Sequence, residues 1–152
     1  QWEDIGEGKT QLKKKFWPDG TIFVGTGRVY SDNDLVLYRY ADIVLLYAEA
    51  LNALDRTPEA ITELNRTRTR SGENPFYASD FVSSDEILDA ILEERQKEFV
   101  GEGKRWFDLV RCNRWQEVME PINGMNDERK VLFPIHRDHI NQNLNLKQNP
   151  GY

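Results

Sequence analysis

Two histidines and one cysteine are the side chains of this sequence best suited to metal binding or nucleophilic catalysis. His136 and His139 stand three positions apart, a spacing that brings two imidazoles near one face of a helix. Zinc needs three or four ligands, and Cys112 is the only cysteine in the chain. No histidine lies near Cys112 in the sequence to activate the thiol. We therefore predict neither a metal site nor a disulfide within the chain.

Carboxylates on one predicted helix are the next candidates, because a glycoside hydrolase needs only two of them across a cleft. The acidic residues of this helix are Asp85, Glu86, Asp89, Glu93, Glu94 and Glu98. Their regular spacing is typical of a solvated helix face, with an ion pair between Glu93 and Lys97 one turn apart. We therefore assign no catalytic residue and no cofactor.

Three arginines, Arg66, Arg68 and Arg70, suggest phosphate binding by their number. A spacing of two on a helix turns successive side chains by about 200°. The three side chains therefore cannot form one patch while the helix continues. Asn65 begins an overlapping glycosylation sequon, a short motif with a high rate of false positives.

Tryptophan rings in an irregular segment offer a different chemistry. A flat aromatic face stacks on the apolar face of a sugar ring and needs no charge to do so. Trp2 and Trp17 lie among glycine, proline and polar residues near the start of the chain. They are the candidates for carbohydrate binding, and the alternative is that both belong to the core or rim of a larger protein.

Composition and charge narrow the range of partners. The chain has 152 residues, with 20 Lys and Arg against 26 Asp and Glu, giving a net charge of −6. This balance argues against nucleic-acid binding. The longest apolar run, Ile43 to Ala48, is far shorter than the roughly 18 residues that span a bilayer. We predict no nucleic-acid partner and no membrane-spanning segment.

A pair of helices must position these residues. From Arg39 onward, apolar residues recur with helical spacing. The predicted inward stripe of the first helix consists of Ile43, Leu46, Tyr47, Ala50, Leu51 and Leu54. Thr57 as N-cap and Pro58 at the first helical position begin a second helix, which ends at Gly72. Its predicted inward face consists of Ala60, Ile61 and Leu64. The two helices are expected to pack as an antiparallel hairpin.

Further helices follow this hairpin. Ser83 and Glu86 have the spacing of a capping box for a third helix. The predicted stripe of this helix consists of Ile87, Leu88, Ile91, Leu92, Arg95 and Phe99. Glycines at positions 101 and 103 separate it from a shorter helix, expected from Trp106 to Val110 with an extension as far as Trp115. Pro121 and the pair Asn123-Gly124 are then expected to open a loop. A turn of helix around Asp138 and a coil over residues 141–152, pinned to the body of the protein, complete the prediction.

The hairpin fits the residue pattern of a tetratricopeptide unit. The matching positions are Val44, Tyr47, Ala48, Leu51, Ala60 and Leu64. Small residues let two such helices approach closely, and large ones fill the seam. A stable array usually needs three or more units, so these helices are expected to pack on material outside this sequence.

The predicted fold class is therefore mainly α, with tetratricopeptide-like hairpins, long loops and minor short strands. We divide the chain into a loop-rich segment with short strands, residues 1–38, and a helical scaffold with a coil tail, residues 39–152. The best strand candidate is Thr21 to Thr26. Both parts are expected to belong to one larger domain.

Three stretches of the scaffold form a specific combination. The first runs from 39 to 52 as RYADIVLLYAEALN and continues from 64 to 72 as LNRTRTRSG. The second runs from 91 to 111 as ILEERQKEFVGEGKRWFDLVR, and the third joins FPI at 133–135 to a terminal QNPGY. In this order, they resemble the C-terminal part of the SusD/RagB family of outer-membrane nutrient-binding lipoproteins.

This resemblance implies a helical scaffold for ligand-binding loops. Family members bind oligosaccharides, or peptides in some branches, at the cell surface, and they are not enzymes. They form a lid on a SusC-like TonB-dependent transporter of the outer membrane. A lipid anchor and most ligand-contacting aromatic residues are then expected upstream of this chain, which would be the C-terminal part of a longer protein. None of the matched motifs is a ligand motif, so the resemblance adds no ligand residue.

The charged residues of the second stretch have a structural interpretation. We expect a partly buried ion network that joins two helices, with Trp106 and Phe107 in the seam beside it. Its members are Arg95, Glu98, Arg105, Asp108 and Arg111.

Three functions therefore remain open, one of which is the glycoside hydrolase considered above. The leading hypothesis is non-catalytic capture of oligosaccharides for a SusC-like transporter. The alternative is a tetratricopeptide-type adaptor that binds a protein segment or a peptide.

Overall fold

A computed structural model describes residues 36–152 in full and, before them, only the backbone of four short strands. Strand β1 (Trp2–Asp4) pairs antiparallel with β2 (Thr10–Leu12), and β3 (Ile22–Gly25) pairs antiparallel with β4 (Arg28–Ser31). Strand β3 lies within the segment predicted as the best strand. Trp17 lies outside the described residues, and of Trp2 only its place opposite Leu12 is described.

Helices dominate the rest of the chain, which confirms the mainly α prediction. The chain divides into two compact units, Gln1–Gly101 and Glu102–Tyr152. The first contains α1 (Tyr40–Ala53), α2 (Thr57–Arg70), a 3-10 turn (Ala78–Asp80) and α3 (Ser84–Glu98). The second contains α4 (Arg105–Arg111), α5 (Trp115–Asn123), a 3-10 turn (Glu128–Val131) and α6 (Arg137–Gln142). The proposed boundary between residues 38 and 39 stays a prediction.

A tight backbone turn joins α1 to α2. Asp55 adopts a left-handed conformation with φ of 57°, and the Arg56 N–H donates to the Leu51 carbonyl at 2.9 Å. The carbonyl of Arg56 accepts the first helical hydrogen bond of α2, from Ala60, at 3.0 Å. The N-cap is therefore Arg56, and the prediction of Thr57 was wrong by one residue. Pro58 lies in the first turn, where its missing N–H costs no hydrogen bond.

The core of the first unit lies in the seam of this hairpin and beneath α3. Ala48 of α1 and Ala60 of α2 are fully buried, which lets the two helix backbones approach closely. The buried apolar residues are Ala41, Val44, Leu45, Ala48, Leu51, Ala60, Ile61, Leu64, Ile87, Ile91, Leu92 and Phe99. The tetratricopeptide-like pattern predicted these positions correctly for Val44, Ala48, Leu51, Ala60 and Leu64.

The predicted inward stripe of α1 was correct for Leu51 and wrong for Ile43, Tyr47, Ala50 and Leu54. The exposed fraction of the side chain is 55% for Ile43, 50% for Tyr47 and 67% for Leu54. Neighbouring positions of the helix face the core instead. The first helix carries apolar side chains around most of its circumference, so helical spacing fits two adjacent stripes equally well. The choice between them depends on Asp42 and Asn52, polar residues that are buried because they find partners on α3.

Helix α3 begins as predicted, with one difference in its cap. The Ser83 hydroxyl accepts a hydrogen bond from the Glu86 N–H at 3.2 Å, but the Glu86 carboxylate accepts from Val82 at 2.8 Å instead of Ser83. The helix ends at Glu98. Gly101, with φ of 80°, then adopts a conformation that favours glycine, as the predicted break requires.

The second unit differs from the prediction at Pro121. Helix α5 continues through this proline to Asn123 and ends at Gly124, which has the left-handed conformation of a C-cap. A proline in a helix removes one backbone hydrogen bond, and the buried ring of Trp115 anchors the same helix. The prediction was therefore wrong for Pro121, which lies inside a helix, and correct for Asn123-Gly124, where the helix ends.

Side-chain amides hold the C-terminal tail within this unit. Gln148 accepts from the Ile135 N–H at 2.8 Å and donates to its carbonyl at 2.9 Å, and Asn149 donates to the Phe133 carbonyl at 2.7 Å. A Cβ added at Gly151 would lie 3.0 Å from the Cβ of Arg129, so only glycine fits there without a shift. The prediction of a pinned coil is confirmed.

Candidate functional site

A buried ion pair joins α1 to α3. The Arg95 guanidinium donates to Asp42 Oδ1 at 2.8 Å, and the two side chains are 3% and 1% exposed. Arg95 also lies over the Phe99 ring, with its guanidinium carbon 5.1 Å from the ring centroid. Burying two charged groups away from water is costly unless each offsets the charge of the other. The pair therefore has a structural role, because both charged groups are buried and neither is accessible to a ligand in the described part of the first unit.

A second buried pair joins α2 to α3. Arg68 donates to Glu94 Oε2 at 3.1 Å and to the Asn74 carbonyl at 3.0 Å, and it stacks 3.8 Å from the centroid of Phe76. Burial raises the pKa of Glu94, and the charge of Arg68 opposes this rise only in part. The prediction of a solvated carboxylate row was therefore wrong for Glu94.

A third cluster lies at the end of α3. The Glu98 carboxylate accepts a hydrogen bond from the Arg39 guanidinium. Its other oxygen, Oε2, forms an ion pair with a terminal nitrogen of Arg70 at 2.6 Å. Arg39 also donates to the Glu98 carbonyl at 2.7 Å. Two helices and the residue before α1 are thus held together by one carboxylate.

We predict that this cluster makes stability depend on pH. Burial alone would raise the pKa of Glu98, but the hydrogen bonds from Arg70 and Arg39 outweigh it, and the pKa lies below its ordinary value of 4.5. In acid, the unfolded chain therefore binds more protons than the folded one. The stabilisation is complete above about pH 4.5 and is lost as the pH falls through the folded pKa.

Thermal unfolding of Glu98→Gln tests this expectation. At neutral pH the variant should lose about 1–2 kcal/mol of unfolding free energy, and its melting temperature should fall less steeply in acid than that of the parent. Glu93→Gln, which alters the exposed pair with Lys97, is the matched control and should leave the acid profile unchanged. Parallel profiles for Glu98→Gln and the parent would contradict the assignment.

An open pocket lies beside this third cluster. It has a volume of about 440 Å³ and lies between the first turn of α1 and the second half of α2. We call it the arginine pocket, after Arg39, Arg66 and Arg70, which line it together with Tyr40 and a floor that includes Val44. Arg66 and Arg70 are four positions apart and share one face of α2, whereas Arg68 points inward. The prediction that the three arginines of α2 do not form one patch is confirmed.

Contacts at the rim of the arginine pocket fix an aromatic ring. Arg66 donates to the Tyr40 hydroxyl at 2.8 Å, and its guanidinium carbon lies 5.7 Å from the ring centroid. The other terminal nitrogen of Arg66 contacts Glu63 at 2.7 Å. Sequence reasoning missed both Arg39 and Tyr40 as pocket residues, because only the fold brings them next to α2.

The remaining chemical candidates take structural or surface positions. Asn65 donates to the Phe76 carbonyl and accepts from its N–H, each at 2.8 Å, so its amide is engaged within the protein. His136 and His139 lie 6.2 Å apart by ring centroids, and no metal-binding group of three or more ligands occurs among the described residues. The carbohydrate-binding assignment of Trp2 and Trp17 stays a prediction.

Members of the predicted ion network form ion pairs within each unit. Arg95 and Glu98 pair with Asp42, Arg39 and Arg70 of the first unit, which sequence reasoning did not include. In the second unit, Asp108 accepts from Arg111 at 2.8 Å. The Phe107 ring is mostly exposed, so its predicted burial in a seam was wrong.

Comparisons with known proteins give a consistent result. The sequence model of the SusD family matches residues 10–152. SusD-like protein P38 of Formosa agariphila is 42% identical over 128 residues, covering 80% of this chain and 25% of the relative. The starch-binding protein SusD of Bacteroides thetaiotaomicron is 31% identical over 131 residues, covering 81% and 22%.

Solved structures agree in fold. A SusD homologue from Bacteroides thetaiotaomicron superposes with a TM-score of 0.72 at 33% identity, covering 90% of this chain and 29% of the other. NanU of Bacteroides fragilis gives a TM-score of 0.62 at 31% identity, covering 88% and 30%. The chain thus spans between a fifth and a third of the length of these relatives. The helical hairpin lies within the residues that the family model matches. This chain belongs to the SusD family.

Proposed function

We propose that the protein captures oligosaccharides at the cell surface without chemical conversion. The observation that carries the proposal is the match of the SusD family over residues 10–152. It is supported by the relation to a protein named for starch binding. The described residues fit a scaffold role, since the buried charged pairs connect helices to one another.

The same proposal includes delivery and location. We infer that the captured glycan passes to a SusC-like TonB-dependent transporter, and that a lipid anchor holds the protein at the outer membrane. No helix among the described residues is long and apolar enough to cross a bilayer. Residues 1–38 and 39–152 are proposed as parts of one larger domain.

Binding measurements on the purified protein test the proposal. Titration calorimetry against neutral and acidic oligosaccharides should show binding to at least one glycan, and no reducing sugar should be released. Trp2→Ala and Trp17→Ala should weaken binding about tenfold or more if the rings stack on sugar. Tyr77→Ala, an exposed aromatic control, should leave it unchanged. Absence of binding to every glycan, or catalytic release of sugar, would overturn the proposal.

A peptide-binding adaptor is the second candidate. Its support is the tetratricopeptide-like hairpin, in which α1 exposes the apolar side chains of Ile43, Tyr47 and Leu54. An adaptor would bind a protein segment in the same titrations and no glycan at all.

A further inference from the structure

We propose that the arginine pocket binds a neutral sugar residue, which stacks on the ring of Tyr40. This inference rests on the proposed capture of oligosaccharides and adds a contact site and a ligand class to it. Three features of the pocket support it. They are an exposed aromatic ring held in one orientation, hydrogen-bonding groups of both kinds at the rim, and arginines that each pair with a carboxylate.

Tyr40 supplies the stacking surface of the arginine pocket. It is 70% exposed, and the Arg66 guanidinium donates to its hydroxyl at 2.8 Å. This hydrogen bond connects the ring to α2 and restricts its rotation. A side chain that is already held in one orientation loses little conformational freedom when a ligand binds. The apolar face of a sugar ring would then cover an aromatic surface that otherwise contacts water.

Arg66 and Glu63 supply hydrogen-bonding groups at the rim. A sugar hydroxyl both donates and accepts hydrogen bonds, so it is bound best where donors and acceptors lie together. One terminal nitrogen of Arg66 contacts Glu63 Oε2 at 2.7 Å, and the other donates to Tyr40. The Arg66 side chain is 51% exposed, and a guanidinium has five N–H donors in all. The pair therefore offers a ligand further donors, with carboxylate acceptors directly beside them.

The ion pairs of the pocket favour a ligand without a charge. Each arginine that lines it pairs with a carboxylate, Arg39 and Arg70 with Glu98, and Arg66 with Glu63. An anionic ligand would have to displace one of these carboxylates from its arginine. A neutral sugar needs no such exchange, because its hydroxyls can bind to the charged groups while the ion pairs stay intact.

The floor and the size of the pocket fit a short stretch of an oligosaccharide. The floor includes Ala41 and Val44, and the volume is about 440 Å³. Small-ligand sites have volumes of about 300–1,000 Å³. The apolar floor lies next to Tyr40 and extends the surface on which the apolar face of the sugar can pack.

Neutral hexasaccharides of glucose, mannose, xylose and galactose are the probes for this pocket. We expect titration calorimetry to detect binding of at least one of them. Its affinity should change less than about twofold between about 0.05 and 0.5 M sodium chloride, because salt screens attraction between charges and not stacking. Binding of acidic oligosaccharides alone would overturn the proposal.

Variants of Tyr40 then locate the contact. Tyr40→Ala should weaken binding of the same hexasaccharide about tenfold or more, because the stacking surface is lost. Tyr40→Phe keeps the ring and removes only the hydroxyl that Arg66 holds, so it should retain most of the affinity. Tyr47→Ala is the matched control, since Tyr47 is an exposed tyrosine of the same helix outside the residues that line the pocket. It should leave the affinity unchanged.

Nuclear magnetic resonance of isotope-labelled tyrosine rings tests the contact in the unaltered protein. The ring signal of Tyr40 is the one that disappears in Tyr40→Phe. We expect this signal to shift during titration with the bound hexasaccharide and the signal of Tyr47 to stay in place. A Tyr40 signal that does not move while the glycan binds would overturn the assignment, whatever the stability of the alanine variant.

The outcomes separate this inference from the broader proposal. If a glycan binds the parent and Tyr40→Ala equally well, the arginine pocket is not the site, and glycan capture still stands. If no oligosaccharide binds, neutral or acidic, both the pocket and the proposed function fail.

Discussion

Replacing Asp42 with alanine is expected to lower the free energy of unfolding by about 3–5 kcal/mol. The substitution leaves the guanidinium of Arg95 almost fully buried without the carboxylate 2.8 Å away. Arginine side chains stay charged in folded proteins. The cost is thus the loss of a carboxylate partner from a buried cation. Denaturant unfolding followed by circular dichroism measures it.

A double variant distinguishes a lost partner from a damaged helix. Asp42→Leu combined with Arg95→Met removes both charges, and apolar replacements of buried ion pairs are often neutral or stabilising. We expect the double variant to recover most of the stability that either single change removes. A loss below about 1 kcal/mol for Asp42→Ala would show instead that the pair is solvated. Additive losses in the double variant would show that the two residues do not depend on each other.

The helices were predictable from local pattern, because their start and stop signals are close in sequence. The Ser83 cap and the glycine break after α3 act within one turn of the chain and lie where the sequence places them, whereas the start of α2 differs by one residue. The inward face of α2 was equally clear, since Ala60, Ile61 and Leu64 are its main apolar positions. The prediction of the inward face therefore holds for α2, where the apolar residues lie on one side of the helix.

The inward face of α1 was not predictable from periodicity alone. Apolar residues occupy most of its circumference, and burial of Asp42 depends on an arginine 53 positions away. One signal was available: Arg95 occurs on the apolar stripe of α3, where an arginine requires a buried partner. Searching for an acid within an apolar helix would have narrowed the partner to Asp42 or Glu49, the two acidic residues of α1.

The arginine pocket shows why a site is harder to predict than a helix. Arg66 and Arg70 were considered as candidate binding residues from the sequence. Their common face on α2 lines a pocket only because the first turn of α1 packs beside it. Arg39 and Tyr40 come from a segment about 26 positions away, joined to α2 by packing and not by any motif. The chemistry of such a site emerges from side chains that share no sequence signature.

Replacing Leu64 with alanine is the second large effect that we expect. Leu64 is 0% exposed and belongs to the core cluster with Leu45, Ile61 and Ile91. Removing its side chain should cost about 3 kcal/mol, from lost burial and from the cavity that remains. Fully buried Ala48 and Ala60 pack in the same seam, so close packing of the helix backbones limits how far they can collapse into the cavity.

Leu54→Ala provides the control for this change, because it deletes the same atoms from the same hairpin. Leu54 is 67% exposed, and its substitution should cost less than about 0.5 kcal/mol. Unfolding curves of the two variants compare burial while the chemical change is held constant. Equal losses would contradict the inward face described for the hairpin. A loss at Leu54 larger than at Leu64 would restore the stripe that helical spacing first suggested for α1, since that stripe places Leu54 in the core.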